Sequence, residues 1–294
     1  MLRRPLIRLF APVLAAAVLS SCGGEPPVRP TGPPRETPVR VGTVPRTPPP
    51  SVYAQSAIVV DADSGRVLYA KNADSVRPVA STQKIVTALT VLGAGSVDKR
   101  VVIEKSDTHC EPTKLYLRPG EVYTRRELMK ALMVKSGNDV ARALARDVGG
   151  SQEGFSSMMN RKAASLGMRQ SRFINPNGLP AEGQYSTARD IAIAARAAYR
   201  VPVIRSWTRV KEYTFQYSDG RTKRLENTNK VLKRVPYCDG MKTGTTNAAG
   251  RCLVSTGTFN GRSAIVVVLK SNSTHVWNDS EKLLRWALER PTAG

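Results

Sequence analysis

Ser56-Ala-Ile-Val-Val-Asp-Ala-Asp-Ser-Gly-Arg-Val-Leu-Tyr-Ala70 is two apolar runs on either side of Asp63-Ser64-Gly65. Gly accepts the left-handed backbone of a tight turn, and Asp and Ser bond back to their own main chain, so the stretch reads as a β-hairpin. Its counterpart lies near the other end of the chain. Cys252-Leu-Val-Ser-Thr256 and Ala264-Ile-Val-Val-Val-Leu269 are β-branched runs separated by Asn260-Gly261, expected to pair with each other and with a strand carrying Lys242. Between these groups, apolar residues recur at helical spacing: Ile85, Leu89 and Leu92, then Leu128, Leu132 and Met133, then Ile191 to Tyr199. Asp279 is placed to cap a last helix over Lys282 to Leu288. Strand-rich ends around a helical middle predict an α+β fold, with one antiparallel sheet drawn from both ends of the chain and helices against its faces. No internal repeat is visible.

Three short motifs fall on this framework: Ser81-Thr82-Gln83-Lys84, Ser136-Gly137-Asn138 and Lys242-Thr243-Gly244-Thr245. A serine hydroxyl is a poor nucleophile until a base takes its proton, and a lysine three residues along a helix lies on the same face. Ser81 is therefore the candidate acylating nucleophile and Lys84 its base. At a helix start, unpaired N–H groups and the helix dipole favour the negative charge of an acyl oxyanion. Burial and the nearby charge of Lys242 should lower the pKa of Lys84 enough for it to accept a proton. Taken alone, Ser81 also fits a plain helix cap.

The second motif follows a helix expected over Glu127 to Val134 and reads as an inter-helix loop facing a cleft. Ser136 is a candidate relay to a leaving amine, and Asn138 either holds the substrate amide or orients Lys84. The dull alternative is a helix stop at Gly137. The third motif reads as a strand on which Gly244 leaves room for a substrate backbone, with Lys242 and Thr243 meeting a substrate carboxylate. The N–H of Thr245 is a second oxyanion donor beside that of Ser81. His109 and His275, the only histidines, have no motif context, which argues against a Ser-His-Asp triad, and His275 has no evident role.

The amino terminus is of a different kind. Arg3, Arg4 and Arg8, an apolar run from Leu9 to Leu19 and Leu19-Ser20-Ser21-Cys22 read as an export signal with a lipobox, 1–22, ending at a lipidated Cys22, the bland alternative being ordinary signal cleavage nearby with Cys22 lost or idle. Residues 23–53, crowded with Pro and Gly, are expected to act as a tether, and 54–290 to form the catalytic domain. The protein is thus expected to be exported and lipid-anchored to a membrane. Cys110, Cys238 and Cys252 are odd in number and read as buried small thiols, without the spacing of a zinc site. No metal or cofactor is expected. The formal charge is +22, of which +17 remains beyond the first fifty residues. Such a charge draws a protein to anionic polymers or membrane surfaces. Nucleic acid is not the expected partner, because the basic residues are dispersed and no nucleic-acid fold signature accompanies them.

The three motifs in this order are the signature of penicillin-binding proteins and class A β-lactamases. From Ser56 to about Leu288 the chain resembles the serine D-alanyl-D-alanine carboxypeptidases, the low-molecular-mass penicillin-binding proteins. The hairpin, Ala80 to Leu89, Asn175-Pro-Asn-Gly-Leu-Pro180, Tyr185-Ser-Thr-Ala-Arg-Asp190, Asn227-Thr-Asn229 and Asp239-Gly-Met-Lys-Thr-Gly244 carry that resemblance. It implies a β-lactamase/DD-peptidase-like fold with a mostly helical subdomain, peptidoglycan stem peptides as substrate, and β-lactams as covalent inhibitors. It also implies Ser81 as acyl-ester nucleophile, Lys84 as proton acceptor, Ser136 and Asn138 as partners, and Lys242 as a substrate-binding residue. The chain departs from the pattern in ending after the catalytic domain. It also places Val276, within Ser273-Thr-His-Val-Trp-Asn-Asp279, where many members have an arginine. These departures, with Thr246-Asn-Ala-Ala-Gly-Arg-Cys252, are more like the family's DD-endopeptidase branch.

The expected activity is a serine D-Ala-D-Ala carboxypeptidase working through an acyl-enzyme on Ser81, with a DD-endopeptidase as close rival. A β-lactamase is weaker, since no Glu-x-x-Leu-Asn segment is present to deliver water. A catalytically silent wall-binding protein is the reading from another class.

Overall fold

The computed structural model describes residues 47–289, so the export signal, Cys22 and positions 23–46 of the expected tether lie outside the described residues. Strands β1 (Ser56–Asp61) and β2 (Val67–Lys71) form the expected hairpin, in which Asp61 Oδ1 accepts from both Ser64 N and Ser64 Oγ at 2.7 Å. A 3₁₀ turn, Ala80–Gln83, runs directly into α1 (Lys84–Leu92). The helical middle continues through β3 (Arg100–Val102), α2 (Lys105–Thr108), β4 (Val122–Thr124), α3 (Arg125–Lys135), α4 (Asn138–Gly149), α5 (Gln152–Leu166), α6 (Ala188–Tyr199) and α7 (Pro202–Thr208). After a hairpin of β5 (Glu212–Gln216) and β6 (Thr222–Glu226) and a short α8 (Val231–Arg234), the chain returns to the main sheet. It does so with β7 (Cys238–Thr246), β8 (Gly250–Phe259) and β9 (Arg262–Ser271), and α9 (His275–Glu289) follows.

The five-stranded sheet has the order β2-β1-β9-β8-β7, antiparallel throughout, and so joins the two ends of the chain as expected. The middle of each central strand is buried on both faces, Ser255 and Thr256 of β8 included, because both faces of the sheet are covered. Ile58, Val60, Ile265, Val267 and Leu269 enter the core shared with the helical middle. Ala57, Val59, Val266 and Val268 point the other way, into a second core with Leu283, Leu284 and Leu288 of α9. Strand β7 is left at one edge of the sheet.

The structure corrects several element assignments. Helix α1 is not amphipathic with one apolar face: every residue from Lys84 to Val91 is buried, so the helix is enclosed by its neighbours. Helices α3 and α6 begin earlier than expected. Thr124 and Glu127 form a capping box for the first, and the Thr187 side chain accepts from Asp190 N to cap the second. The last helix starts at His275 rather than near Lys282, and its cap is Asn272, whose Oδ1 accepts from Thr274 N and His275 N. Asp279 is inside that helix. Its carboxylate instead accepts from Tyr53 N (3.1 Å) and Ala54 N (2.8 Å), backbone donors just before β1. His275, unassigned from sequence, stacks on the Tyr53 ring with centroids 4.4 Å apart. Thr47 O accepts from Trp286 Nε1 at 2.8 Å, so within the stretch expected as a tether the described residues 47–53 touch α9 at both ends.

Candidate active site

Ser81 lies one residue after Ala80, whose φ of +49° is in the left-handed region that costs a residue with a Cβ about 1 kcal/mol. Two backbone segments press on this turn. A Cβ on Gly244 of β7 would lie 2.8 Å from Ser81 N and 2.9 Å from Thr82 N. One on Gly178, itself at φ +82°, would collide with Ala80 O. Glycine at both places lets a strand edge and a loop close on the N–H end of the turn. Ser81 is not the helix cap: the residue before the turn is Val79, and no side chain caps it.

Ser81 Oγ and Lys84 Nζ are 2.8 Å apart. Lys84 Nζ also donates to Asn138 Oδ1 at 2.8 Å and to Asn177 O at 2.9 Å, and Asn177 O lies 3.1 Å from Ser81 Oγ. Two of the three partners of Nζ can only accept. A neutral amine has two N–H groups and one lone pair, so it turns the N–H groups to Asn138 and Asn177 and leaves the lone pair for the Ser81 hydrogen. As an ammonium it donates three times, and the Ser81 hydroxyl turns its hydrogen to Asn177 O. The site thus holds both protonation states without moving a heavy atom. Complete burial first, and the charge of Lys242 second, hold Lys84 well below the ordinary lysine range. Burial alone pushes Lys242 down to about 7.

The second motif meets this centre through Asn138, the first residue of α4. Its Nδ2 donates to Glu111 O at 3.0 Å, and its N–H donates to Thr113 O at 2.7 Å. Next to it, the buried Asp139 carboxylate accepts from the N–H groups of Leu115, Tyr116 and Leu117, which fixes the segment whose Thr113 reaches the cleft. Ser136, not Gly137, ends α3, in a left-handed conformation at φ +69°. It lines the cleft with Ser81, but Lys84 bonds Asn138 rather than Ser136.

On β7, Lys242 and Gly244 face the helical side of the sheet, while Thr243 and Thr245 face α9, as the alternation of a strand requires. Lys242 Nζ donates to Thr243 O at 3.1 Å, and Thr243 Oγ1 donates to Thr228 Oγ1 at 2.6 Å. Ser81, Ser136, Thr243 and Thr245 share the wall of one cleft of about 360 Å³. Its far side is Ser273, Val276 and Trp277 at the start of α9, where Val276 is buried.

Sequence reasoning passed over the carbonyl of Asn177 and the supports of its loop. Gln83 Nε2 donates to Asn175 O and Thr87 Oγ1 to Pro176 O, so the 3₁₀ turn and α1 together grip three consecutive carbonyls, the third through Ser81 and Lys84. The only signal was the turn-rich Asn175-Pro-Asn-Gly178 itself. Of the cysteines, Cys238 and Cys252 are buried thiols whose pKa values burial raises to about 12 and about 11, while Cys110 is half-buried.

Comparison with known proteins agrees with this architecture. The model of the family Peptidase_S11, D-alanyl-D-alanine carboxypeptidase, matches residues 43–273. The chain is 36% identical over 225 residues to the D-alanyl-D-alanine carboxypeptidase DacF of Bacillus subtilis, a match that covers 75% of this chain and 58% of that protein. It is 35% identical to DacB2 of Mycobacterium tuberculosis, covering 81% of this chain and 84% of that one. The crystal structure of a D-alanyl-D-alanine carboxypeptidase from Mycobacterium tuberculosis H37Rv superposes with a TM-score of 0.79 at 32% identity, over 85% of this chain and 98% of that one. With the α+β fold and the matched length taken together, this chain belongs to the serine-type D-alanyl-D-alanine carboxypeptidase family of penicillin-binding proteins.

Proposed function

We propose that the protein hydrolyses the D-Ala-D-Ala bond of peptidoglycan stem peptides through an acyl-enzyme on Ser81. The observation that carries this reading is the bonding of Lys84 Nζ, whose two acceptor-only partners leave its lone pair aimed at Ser81 Oγ. In the first step Ser81 Oγ attacks the penultimate carbonyl carbon and its proton passes to Lys84. The carbonyl oxygen, now negative, is held by the N–H groups of Ser81 and Thr245. The C–N bond then breaks as the proton held by Lys84 passes by way of Ser136 to the departing D-alanine nitrogen, and a water that gives its proton to the again neutral Lys84 attacks the ester carbonyl, the proton returning to Ser81 Oγ as the peptide leaves. Substrate backbone pairs with the free edge of β7, which supports an extended peptide as ligand. The residues beyond the described part support export and a lipid anchor at Cys22, which would keep the enzyme beside the wall.

Val276, where many members have an arginine, supports a second reading, cleavage of D-Ala cross-links. The deciding assay feeds purified protein a pentapeptide and a cross-linked dimer. Free D-alanine supports the carboxypeptidase, and conversion of dimer to monomer the endopeptidase. Labelled penicillin should form a stable adduct that peptide mapping places on Ser81, and Lys84→Met should slow its formation by about 10³-fold or more. No adduct and no turnover of the lactam would remove the enzyme reading.

A further inference from the structure

A second cavity, of about 790 Å³ against about 360 Å³ for the catalytic cleft, opens where α6, α7 and the start of β7 meet, and no residue lines both. Asp239 in its wall and Gly244 at the Ser81 turn are five residues apart on β7, roughly 17 Å at the rise of a strand. The wall carries four cations: Arg200 at the end of α6, Arg205 in α7, and Arg209 and Lys211 in the link from α7 to β5. Two carboxylates, Asp63 and Asp239, line it as well. The fold already uses Asp239. Its Oδ2 accepts from Arg205 Nη2 at 3.1 Å and from Tyr199 Oη at 3.0 Å, and its Oδ1 accepts from Thr256 Oγ1 at 2.6 Å. These bonds also fix Arg205, whose guanidinium lies 4.2 Å from the centre of the Tyr199 ring.

The other three cations have too little to balance them. Arg200, Arg209 and Lys211 are exposed, and among the described residues none of them pairs with a carboxylate. Glu212, beside Lys211, and Glu289, bonded by Tyr237, are held by Arg224 and Arg285. Asp63 is then one negative charge against three positive ones. Like charges are crowded besides: Arg196 and Arg200, one helical turn apart, both donate to Asp63 O, at 2.5 and 2.7 Å. Burial first, and the charge of Arg200 second, hold Arg196 below the ordinary arginine range. An anion in the cavity relieves this repulsion.

We infer that this cavity is a second binding site, for a phosphodiester polyanion, with Arg200, Arg209 and Lys211 as its counter-charges and Arg205 as a fixed wall. Three unmatched cations call for repeated negative charge, which a polymer supplies, and arginine forks match the paired free oxygens of each phosphodiester. A membrane surface fits less well. The cations line a cavity, and none of the large apolar side chains exposed among the described residues stands in its wall to enter a bilayer. Nor does the site suit nucleic-acid bases, since Arg205 lies on the Tyr199 ring and Phe259 packs on that of Tyr237. The inference goes beyond the peptidase reading and does not depend on it: the polymer holds the protein at one end of β7 while the cleft at the other stays open to a peptide.

The test measures the Kd of the full chain for poly(glycerol phosphate) of defined length at about 100 mM salt, where long-range attraction is largely screened. The double variant Arg209→Gln/Lys211→Gln should bind about 10-fold more weakly or worse, as expected for the loss of charge-assisted hydrogen bonds. A control that removes the same charge from exposed positions outside the cavity, Arg169→Gln/Lys282→Gln, should change Kd by about 2-fold or less. Arg209→Lys/Lys211→Arg, which keeps both charges, should retain most of the affinity. All three variants change exposed side chains and should melt as wild type does. Equal weakening by the cavity pair and the control pair would show a diffuse attraction and overturn the site. Failure of wild type to bind the polymer would do the same, as would equal or tighter binding of poly-L-glutamate of matched length and charge. A dependence on Arg209 and Lys211 that is seen with phosphatidylglycerol vesicles but not with the polymer would overturn it in favour of a membrane contact.

Discussion

Two buried lysines set the character of the site, and they are buried differently. Lys84 has three hydrogen-bond partners, so its enclosure is compensated, whereas Lys242 has a single bond to the Thr243 carbonyl. Lys242 falls from an ordinary 10.5 to about 7 on burial, so between those values the unfolded chain holds a proton that the folded chain has lost. Stability from this group therefore rises with pH across that window, and the burial penalty is complete at pH 7 and below. Lys242→Met should stabilise the protein by about 2 kcal/mol near pH 7, with the advantage shrinking toward pH 10. Urea unfolding of both proteins at the two pH values measures this, and an advantage that grows with pH would contradict it. The same variant should acylate more slowly, the usual opposition of stability and function at a strained site. The Ser81–Lys84 pair was legible in the sequence because three residues along one turn is a local distance. Asn177 O was not, since a backbone carbonyl has no residue type to betray it.

At the level of elements, the site is a meeting of a strand edge, a loop and a turn. Gly244 and Gly178 are where they touch, and both contacts are with backbone atoms that have no rotamer to swing away. Gly244→Ala should push β7 off the Ser81 turn, lower the rate of penicillin acylation by about 10²-fold, and cost about 1–3 kcal/mol of stability from overpacking. Stopped-flow acylation and thermal melts check both figures, and an unchanged acylation rate would show that β7 does not set the geometry at Ser81. The need for space at Gly244 could be foreseen from its place after Lys242-Thr243. The role of Asp279 could not. An acidic residue ahead of a helical run looks like a cap, yet Asn272 does that work seven residues earlier, and Asp279 serves the backbone donors of Tyr53 and Ala54. A local reading favours the nearer use of a carboxylate, whereas the fold brings to it two N–H groups more than two hundred residues away.

For the whole molecule, the excess of +17 beyond the first fifty residues is spread over the chain rather than gathered in a run. Several of the basic side chains are already paired, as Arg125 and Lys99 are with Asp147, and Arg146 with Asp107. The remainder gives a long-range attraction that salt screens. Binding to an isolated anionic wall polymer should weaken at least about 10-fold between roughly 50 mM and 300 mM salt, while turnover of a small peptide changes far less. Co-sedimentation and a peptide assay at the two salt concentrations separate these effects, and equal salt dependence would show that the charge acts at the cleft alone.

Periodicity and turn chemistry in the chain determined the α+β class, the sheet drawn from both ends, the hairpin and the three motifs. Each of these is written in the spacing of apolar residues or in a residue type with one strong local preference. Only the tertiary structure decided that α1 is enclosed on every side, that Asn138 rather than Ser136 holds Lys84, that Asn177 supplies a carbonyl, and that Arg251 bonds Thr245. Those facts depend on which backbones approach one another across long stretches of chain. Close packing settles that globally, and no local pattern carries it.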